Sequence, residues 1–272
     1  MEGFQQRITL HDNTPLIDLG ICMMKKDIRT PESLYFVFPL NLEKDWGSHY
    51  DTAGVPVELG VQHLPGCCRD WFMVNSYASI HNISKGATLY CPEAPMVQIG
   101  DFNFARRNSF IERRENPILL AWPLNNCWDT NFRASQPGYI MLRYAFRTHG
   151  PFDSERACRE GHVVSTPVEY QIVVNCEKQV EKLFFKVSGD GIHVQHIKRA
   201  EDGRGIIIRL ICLKKYPVYG NVEFTGRKIS KIFVVSPVEE DIHELLSADN
   251  KLNYNFLPFR ITSFRVVFVI NL

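Results

Sequence analysis

Short apolar runs separated by turn residues recur along this chain and constrain its fold more than any other feature. Their flanks are rich in Pro, Gly, Asn and Asp, which is the punctuation of short strands in a sandwich. The sequence therefore predicts an all-β protein made of antiparallel strands. The runs are residues 33–40, 71–80, 87–90, 118–122, 139–147, 168–174, 182–187, 206–213, 231–235 and 259–270.

Helical patterns are scarce. Residues 154–159 predict a turn or two of helix. Residues 237–246 carry acidic side chains near their start, which favours a helix N-terminus, but the same order fits a strand that enters a loop.

The chain is long enough for two cores, and its pattern changes near residue 165. Before that point the segments are long and aromatic. After it, shorter runs are joined by tight glycine turns at residues 188–191 and 201–205, which predict hairpins. We therefore predict a main β-sandwich portion over residues 1–165 and a smaller C-terminal β-sandwich over residues 166–272.

The charge balance excludes one class of partner, and the apolar runs exclude another. Lys and Arg number 31 against 30 Asp and Glu, so no basic field would attract a nucleic-acid backbone. No apolar run approaches the roughly 20 residues that span a bilayer, so no membrane partner is expected.

The first residues lack the pattern of a signal peptide. The eight cysteines are dispersed and include no C-x-x-C pair, which fits reduced thiols. We expect a cytoplasmic protein without a structural zinc site.

The most informative stretch for function is residues 117–149. Two apolar runs flank a polar loop that carries amides, a carboxylate and aromatic rings, a mixture that suits sugar recognition. A structural role is the alternative, because Asn and Asp side chains often bond their own backbone in turns. We expect Trp122, which lies in an apolar run, to be buried. The predicted substrate-binding residues of the loop are Asn125, Asn126, Trp128, Asp129 and Asn131.

Three other patterns resemble sites. The basic cluster that contains Arg107 fits either a substrate contact or a solvated loop with exposed ion pairs, which contribute little. His49 and Asp51 spell an HxD zinc motif, but their surroundings predict a loop rather than a metal site. His193 and His196 are three residues apart, which on a strand predicts opposite faces and no shared metal.

Five segments resemble parts of the C-terminal β-domain of glycoside hydrolase family 38, the α-mannosidase family, and follow one another along the chain in the same order as in that family. Residues 119–132, LLAWPLNNCWDTNF, carry the resemblance most clearly. Arg260, in the last segment, stands where that family more often has an acid. The other segments are residues 64–71 (LPGCCRDW), 87–100 (ATLYCPEAPMVQIG), 198–210 (KRAEDGRGIIIRL) and 257–267 (LPFRITSFRVV).

The resemblance implies a large antiparallel super-sandwich of the galactose-mutarotase-like type, followed by a smaller terminal sandwich. It implies retaining hydrolysis of α-mannosides in the intact enzyme, with zinc, the nucleophile and the acid/base on an α/β domain that this sequence lacks. In family 38 the β-domain lends loops to the rim of the cleft, so Arg107 is included among the expected substrate contacts. We assign no catalytic residue, metal ligand or cofactor to this chain, and predict that it is inactive alone.

Partners follow from the same resemblance. We expect a mannoside-type carbohydrate and a catalytic α/β domain or subunit, and the surface left by a missing domain predicts homo-oligomerisation. The alternative functions are a stand-alone carbohydrate-binding module and a protein-interaction β-sandwich module. A stand-alone sugar binder would be expected to show a row of exposed aromatics, whereas this sequence offers scattered ones.

Overall fold

The structure is a computed structural model that describes residues 2–43, 45–68, 70–100, 116–126, 135–172, 174, 184–247 and 250–269. The chain divides into two compact units, Met1–Val168 and Glu169–Leu272. The described strands are antiparallel to their neighbours, and each unit has its own apolar core.

The first unit contains a seven-stranded and a four-stranded sheet among its described residues. The larger sheet has the order β1-β2-β11-β8-β7-β4-β5 and the smaller the order β3-β10-β9-β6. The strands are β1 Glu2–His11, β2 Thr14–Lys25, β3 Ser33–Pro39, β4 Gly47–Thr52, β5 Val55–Glu58, β6 Phe72–Met73, β7 Tyr77–His81, β8 Gly86–Tyr90, β9 Met96–Ile99, β10 Ile118–Asn125 and β11 Gly138–His149.

Apolar side chains at alternate positions along these strands form the core between the two sheets. Ile21, Leu89 and Tyr144 come from the larger sheet, and Val97 and Leu119 from the smaller one. Successive side chains on a strand point to opposite faces, so the intervening residues form a second, outer face on each sheet. The candidate site described below lies on the outer face of the four-stranded sheet.

The predicted strand at residues 71–80 is wrong as one element, because the chain changes sheets within it. β6 belongs to the smaller sheet and β7 to the larger. The buried Asp51 carboxylate holds the crossing by accepting bonds from the backbone N–H of Ser76 and of Tyr77, both at 2.8 Å, and from the Ser76 hydroxyl at 2.5 Å. Burial raises the Asp51 pKa, and these hydrogen bonds oppose the rise.

Helix α1, Ser154–Ser165, is longer than the sequence predicted. Asp153 caps it by accepting from the backbone N–H of Glu155 and Arg156. The helix packs on the outer face of the seven-stranded sheet, where Tyr90 donates to Glu160 Oε2 at 2.6 Å. No described helix is long and apolar enough to cross a membrane.

The second unit contains a three-stranded sheet, β12-β15-β18, and a five-stranded sheet, β13-β14-β19-β16-β17, among its described residues. Ile208, Val222, Ile232, Phe256 and Phe264 are at most 1% exposed in the core between them. The strands are β12 Phe185–Ser188, β13 Ile192–Arg199, β14 Ile206–Cys212, β15 Val218–Phe224, β16 Ile229–Val235, β17 Asp241–Leu245, β18 Lys251–Phe256 and β19 Ile261–Phe268.

A buried arginine organises the five-stranded sheet. Arg265, on β19, is 1% exposed. Its guanidinium donates to Asp241 Oδ1 at 2.7 Å, to Asp202 Oδ1 at 2.8 Å and to the Glu239 carbonyl at 2.5 Å. Asp202 lies in the turn between β13 and β14, so the arginine ties that hairpin to β17.

The predicted fold class is confirmed: the protein is all-β, with antiparallel sheets packed as sandwiches. One further predicted element differs. Residues 168–172 form no strand, although their apolar residues alternate; Val168, Tyr170 and Ile172 are more than 80% exposed and pair with no strand among the described residues. Of the two alternatives for residues 237–246, the strand is observed: residues 241–245 form β17, after Glu239 adopts a φ of 68°.

Candidate functional site

The candidate site is the outer face of the four-stranded sheet, at the end of β10 where the polar loop between β10 and β11 begins. Strand β10 runs through Pro123 to Asn125 instead of stopping at Pro123 as the sequence suggested. The ladder with β3 shifts register between Ala121 and Leu124, so a bulge accommodates the proline. Asn125 then stands opposite Ser33, at one end of the sheet.

Two of the six predicted substrate-binding residues, Asn125 and Asn126, lie in the described part of the chain. The other four lie outside the described residues, as does the rest of the basic cluster. They are Arg107, Trp128, Asp129 and Asn131.

Asn126 is engaged inside the protein. Its Oδ1 accepts from the Glu32 backbone N–H at 2.5 Å, while its Nδ2 donates to the carbonyls of Ile28 at 2.9 Å and Thr30 at 3.1 Å. Its own N–H donates to the Glu32 carbonyl at 3.1 Å. The side chain therefore clamps the segment before β3, which is the structural role considered for it.

Asn125 and Gln98 have hydrogen-bonding capacity to spare. Asn125 Oδ1 is buried without a partner. Gln98, on β9, is 1% exposed, and neither its amide oxygen nor its amide nitrogen has a partner. Gln98 pairs with Leu120, and Leu120 pairs with Val37. Their chain neighbours Val97 and Leu119 point into the core, so Gln98 lies on the outer face of the sheet. A buried amide with no partner is costly.

Three aromatic rings, Tyr35, Trp71 and Trp122, contact one another on or beside the same sheet. Trp122, which is 2% exposed as expected for a buried indole, stacks on Tyr35 with centroids 5.3 Å apart and an interplanar angle of 12°. Trp71 meets Trp122 edge-on at 5.7 Å. We call Tyr35, Trp71, Gln98, Trp122 and Asn125 the amide–aromatic face. Rings and amides are the groups that recognise sugars, but Trp122 and Gln98 are at most 2% exposed and do not reach solvent in the described chain.

Sequence reasoning missed Tyr35, Trp71 and Gln98. Tyr35 lies between the core residues Leu34 and Phe36, and Gln98 lies between the core residues Val97 and Ile99. Because successive side chains of a strand point to opposite faces, the sequence could have shown that both point away from the core. The sequence could not show that they lie close together, because that depends on the register of β3, β10 and β9.

The HxD motif does not form a metal site. His49 and Asp51 lie on β4, where the sequence predicted a loop. Asp51 is used at the sheet crossing, whereas His49 Nδ1 lies 2.9 Å from His81 Nε2. Among the described residues no three His, Cys, Asp or Glu side chains are placed to hold a metal ion together. The zinc that the family resemblance implies does not fit this part of the chain.

His193 and His196 differ from the prediction. They lie on β13, whose register shifts between Val194 and His196. His193 pairs with Ile211 and His196 with Arg209, two residues on the same face of β14, so the bulge turns both histidines to one side. The inference of opposite faces was therefore wrong.

No protein-family model matches the chain, and no curated protein matches its sequence. Solved structures do match its fold. A glycosyl hydrolase family 38 protein from Enterococcus faecalis aligns with 95% of this chain at a TM-score of 0.69 and 13% identity. An α-mannosidase from Enterococcus faecalis V583 aligns with 95% of it at 0.69 and 12% identity.

This chain covers 29% and 28% of those two chains, less than a third of their length. The resemblance predicted from five sequence segments is confirmed at the level of the fold. At these identities the fold is what is shared.

Proposed function

We propose that this chain is the non-catalytic β-sandwich part of an α-mannosidase-like glycoside hydrolase, acting with an α/β catalytic domain or subunit. The observation that carries the proposal is the fold likeness, which takes in 95% of this chain but only 28% of an α-mannosidase. A protein that matches so small a share of an enzyme is expected to supply part of its framework.

The proposed role is to dock on the catalytic part and to complete one wall of a cleft for a mannoside-type carbohydrate. The amide–aromatic face carries the amides and rings that this role needs, and its unsatisfied amides, Gln98 and Asn125, are buried in the chain by itself. Trp128, Asp129, Asn131 and Arg107 remain predicted contacts of the same cleft. In the intact enzyme the reaction would be retaining hydrolysis, with zinc held by the partner.

An activity assay of the purified chain tests the proposal. We expect no hydrolysis of an aryl α-mannoside, with or without added zinc. Addition of the catalytic partner should restore turnover. Zinc-dependent turnover by the purified chain alone would contradict the proposal.

A stand-alone carbohydrate-binding module is the second candidate, favoured by the same rings and amides. It predicts binding of mannosides by the isolated chain and loss of that binding in Trp128→Ala. Tyr219→Ala is the matched control, because Tyr219 is 69% exposed on β15 of the other unit. Absence of any sugar binding by the wild-type chain would eliminate this candidate.

A further inference from the structure

A cavity of about 380 Å³ opens on the outer face of the seven-stranded sheet, where the end of α1 meets β1, β2 and β11. This volume is within the range of small-molecule sites. The cavity lies on the other sheet from the amide–aromatic face. The polar side chains that line it come from the three strands and are Arg7, Thr9, His11, Thr14, Asp18 and Arg143.

Two arginines flank a glycine across the three strands. Arg7 of β1 pairs with Gly20 of β2, and Gly20 pairs with Arg143 of β11. Leu19 and Ile21 point into the core, so this row lies on the outer face. Neighbouring strands are about 4.8 Å apart, which places the two arginine Cα atoms about 10 Å apart.

Gly20 leaves the floor between the two arginine side chains open. Apart from its chain neighbours, a Cβ at this position would meet nothing closer than the Arg7 Cβ, at 3.9 Å. The gap therefore has room for a group that bonds both guanidinium groups.

Both guanidinium groups have donors to spare. Within the described chain, no hydrogen bond or ion pair engages Arg7. Arg143 donates from Nε to Glu93, and its two Nη groups make no hydrogen bond with the described residues. Glu93 thus orients one guanidinium without using its terminal donors. A guanidinium is a planar fork that bonds the oxygens of an anion in pairs.

A second row on the same face carries groups that suit hydroxyls. Thr9 of β1 pairs with Asp18 of β2. Asp18 Oδ2 lies 2.7 Å from His11 Nε2, and Oδ1 makes no hydrogen bond with the described residues. Same-face neighbours on a strand are about 7 Å apart, so a ligand with its anionic group between the arginines would bring its hydroxyls to this row.

The rest of the lining is largely apolar. Val163 and Val164 come from the end of α1, and Leu16 and Pro92 from the sheet and its edge. Such a surface contacts a carbon skeleton and offers no partner for a second charged group.

We propose that this cavity binds a small hydroxylated phosphate ester of the size of a sugar monophosphate, with its phosphate between Arg7 and Arg143 above Gly20. A phosphate group presents three strong acceptor oxygens, enough for two guanidinium forks at once. A carboxylate presents only two. Thr9 and Asp18 bond the hydroxyls, and the valines of α1 contact the carbon skeleton.

Isothermal titration calorimetry of the full chain with glucose 6-phosphate tests the site. We expect one binding site, at least ~10-fold tighter for this ester than for glucose or inorganic phosphate alone. Arg7→Gln and Arg143→Gln should each weaken binding by at least ~10-fold. Arg199→Gln is the matched control, because Arg199 is exposed on β13 of the second unit, and it should leave binding unchanged.

Gly20→Val separates a shaped site from general attraction of an anion to surface charge. Valine suits a strand and fills the floor of the cavity while both arginines stay in place. Binding should fall by at least ~10-fold, and circular dichroism checks that each variant is folded. Unchanged binding in a folded Gly20→Val or Arg7→Gln, or no saturable binding of glucose 6-phosphate by the wild type, would overturn the assignment. Equally tight binding of glucuronate would contradict the choice of phosphate.

Discussion

Asn126 Oδ1 accepts a hydrogen bond from the Glu32 backbone N–H at 2.5 Å, joining residues 94 positions apart. With the bonds from Nδ2 to Ile28 and Thr30, it fixes the entry to β3 beside the amide–aromatic face. Asn126→Ala removes all three side-chain bonds. At about 1 kcal/mol each, the free energy of unfolding should fall by about 2–3 kcal/mol in urea titration.

Asn125→Ala is the control for that change, because Asn125 Oδ1 has no partner. It should cost less than about 1 kcal/mol, in line with the removal of an oxygen that makes no bond. Equal losses for the two variants would contradict the clamp assigned to Asn126.

Gln98→Leu should stabilise the isolated chain. The substitution keeps a similar volume and removes a buried amide with no partner, so a gain of about 1–3 kcal/mol is expected in the same titration. Gln5→Leu, on the exposed surface of β1, should change stability by no more than about 0.5 kcal/mol. If Gln98 serves the cleft, Gln98→Leu should also weaken capture of the catalytic partner. A loss of stability on Gln98→Leu would show that the amide is satisfied in the folded chain.

Gly161→Ala should destabilise the protein, although alanine is the better helix former. A Cβ at this position of α1 would lie 2.7 Å from the Ser76 Cβ and closer to its hydroxyl, which is bonded to Asp51. Overpacking of this kind costs about 1–3 kcal/mol, more than the roughly 1 kcal/mol gained in helix propensity. Gly150→Ala is the control, because its nearest neighbour is 3.7 Å away. Higher melting of Gly161→Ala would contradict the packing of α1.

Protonation of His81 should make stability fall in mild acid. The unfolded chain takes up this proton near the ordinary pKa of 6.5, whereas burial and the neighbouring His49 lower the folded pKa to about 4. Stability is therefore lost as the pH falls from about 6.5 to about 4. Unfolding titrations across this range should show a smaller loss for His81→Gln than for the wild type. The same slope in both proteins would exclude His81 as a source.

Arg265→Met should cost about 1–3 kcal/mol, because it removes the donor of the hydrogen bonds to the Asp241 carboxylate and the Glu239 carbonyl. Arg260→Met, at an exposed position in the turn before β19, should be nearly neutral. Thermal unfolding of both variants measures the difference. A small effect at Arg265 would show that the hairpin at Asp202 is held by other contacts.

The strands that carry apolar runs were predictable from the sequence, and β10, β11 and β14 lie where those runs are. The change of sheet at residues 74–76 was not, because it depends on Asp51, a residue far along the chain that bonds Ser76 and Tyr77. The alternation at residues 168–172 predicted a strand, but alternation cannot supply a neighbouring strand to bond.

The candidate site shows the same division. The amides of Asn125 and Asn126 were recognisable as a polar pair after an apolar run. Their different uses were not, because the partners of Asn126 lie before β3 and the neighbours of Asn125 are set by strand register. Gln98 reads as an ordinary polar residue in a strand until its burial is known.

The most direct test of the proposed function is α-mannosidase activity in material captured on the tagged chain from its source organism. We predict that the captured complex hydrolyses an aryl α-mannoside and contains an α/β zinc-binding partner. The same chain produced alone in another host should be folded and inactive. Capture of the chain without a partner or activity, or activity of the chain by itself, would contradict the account.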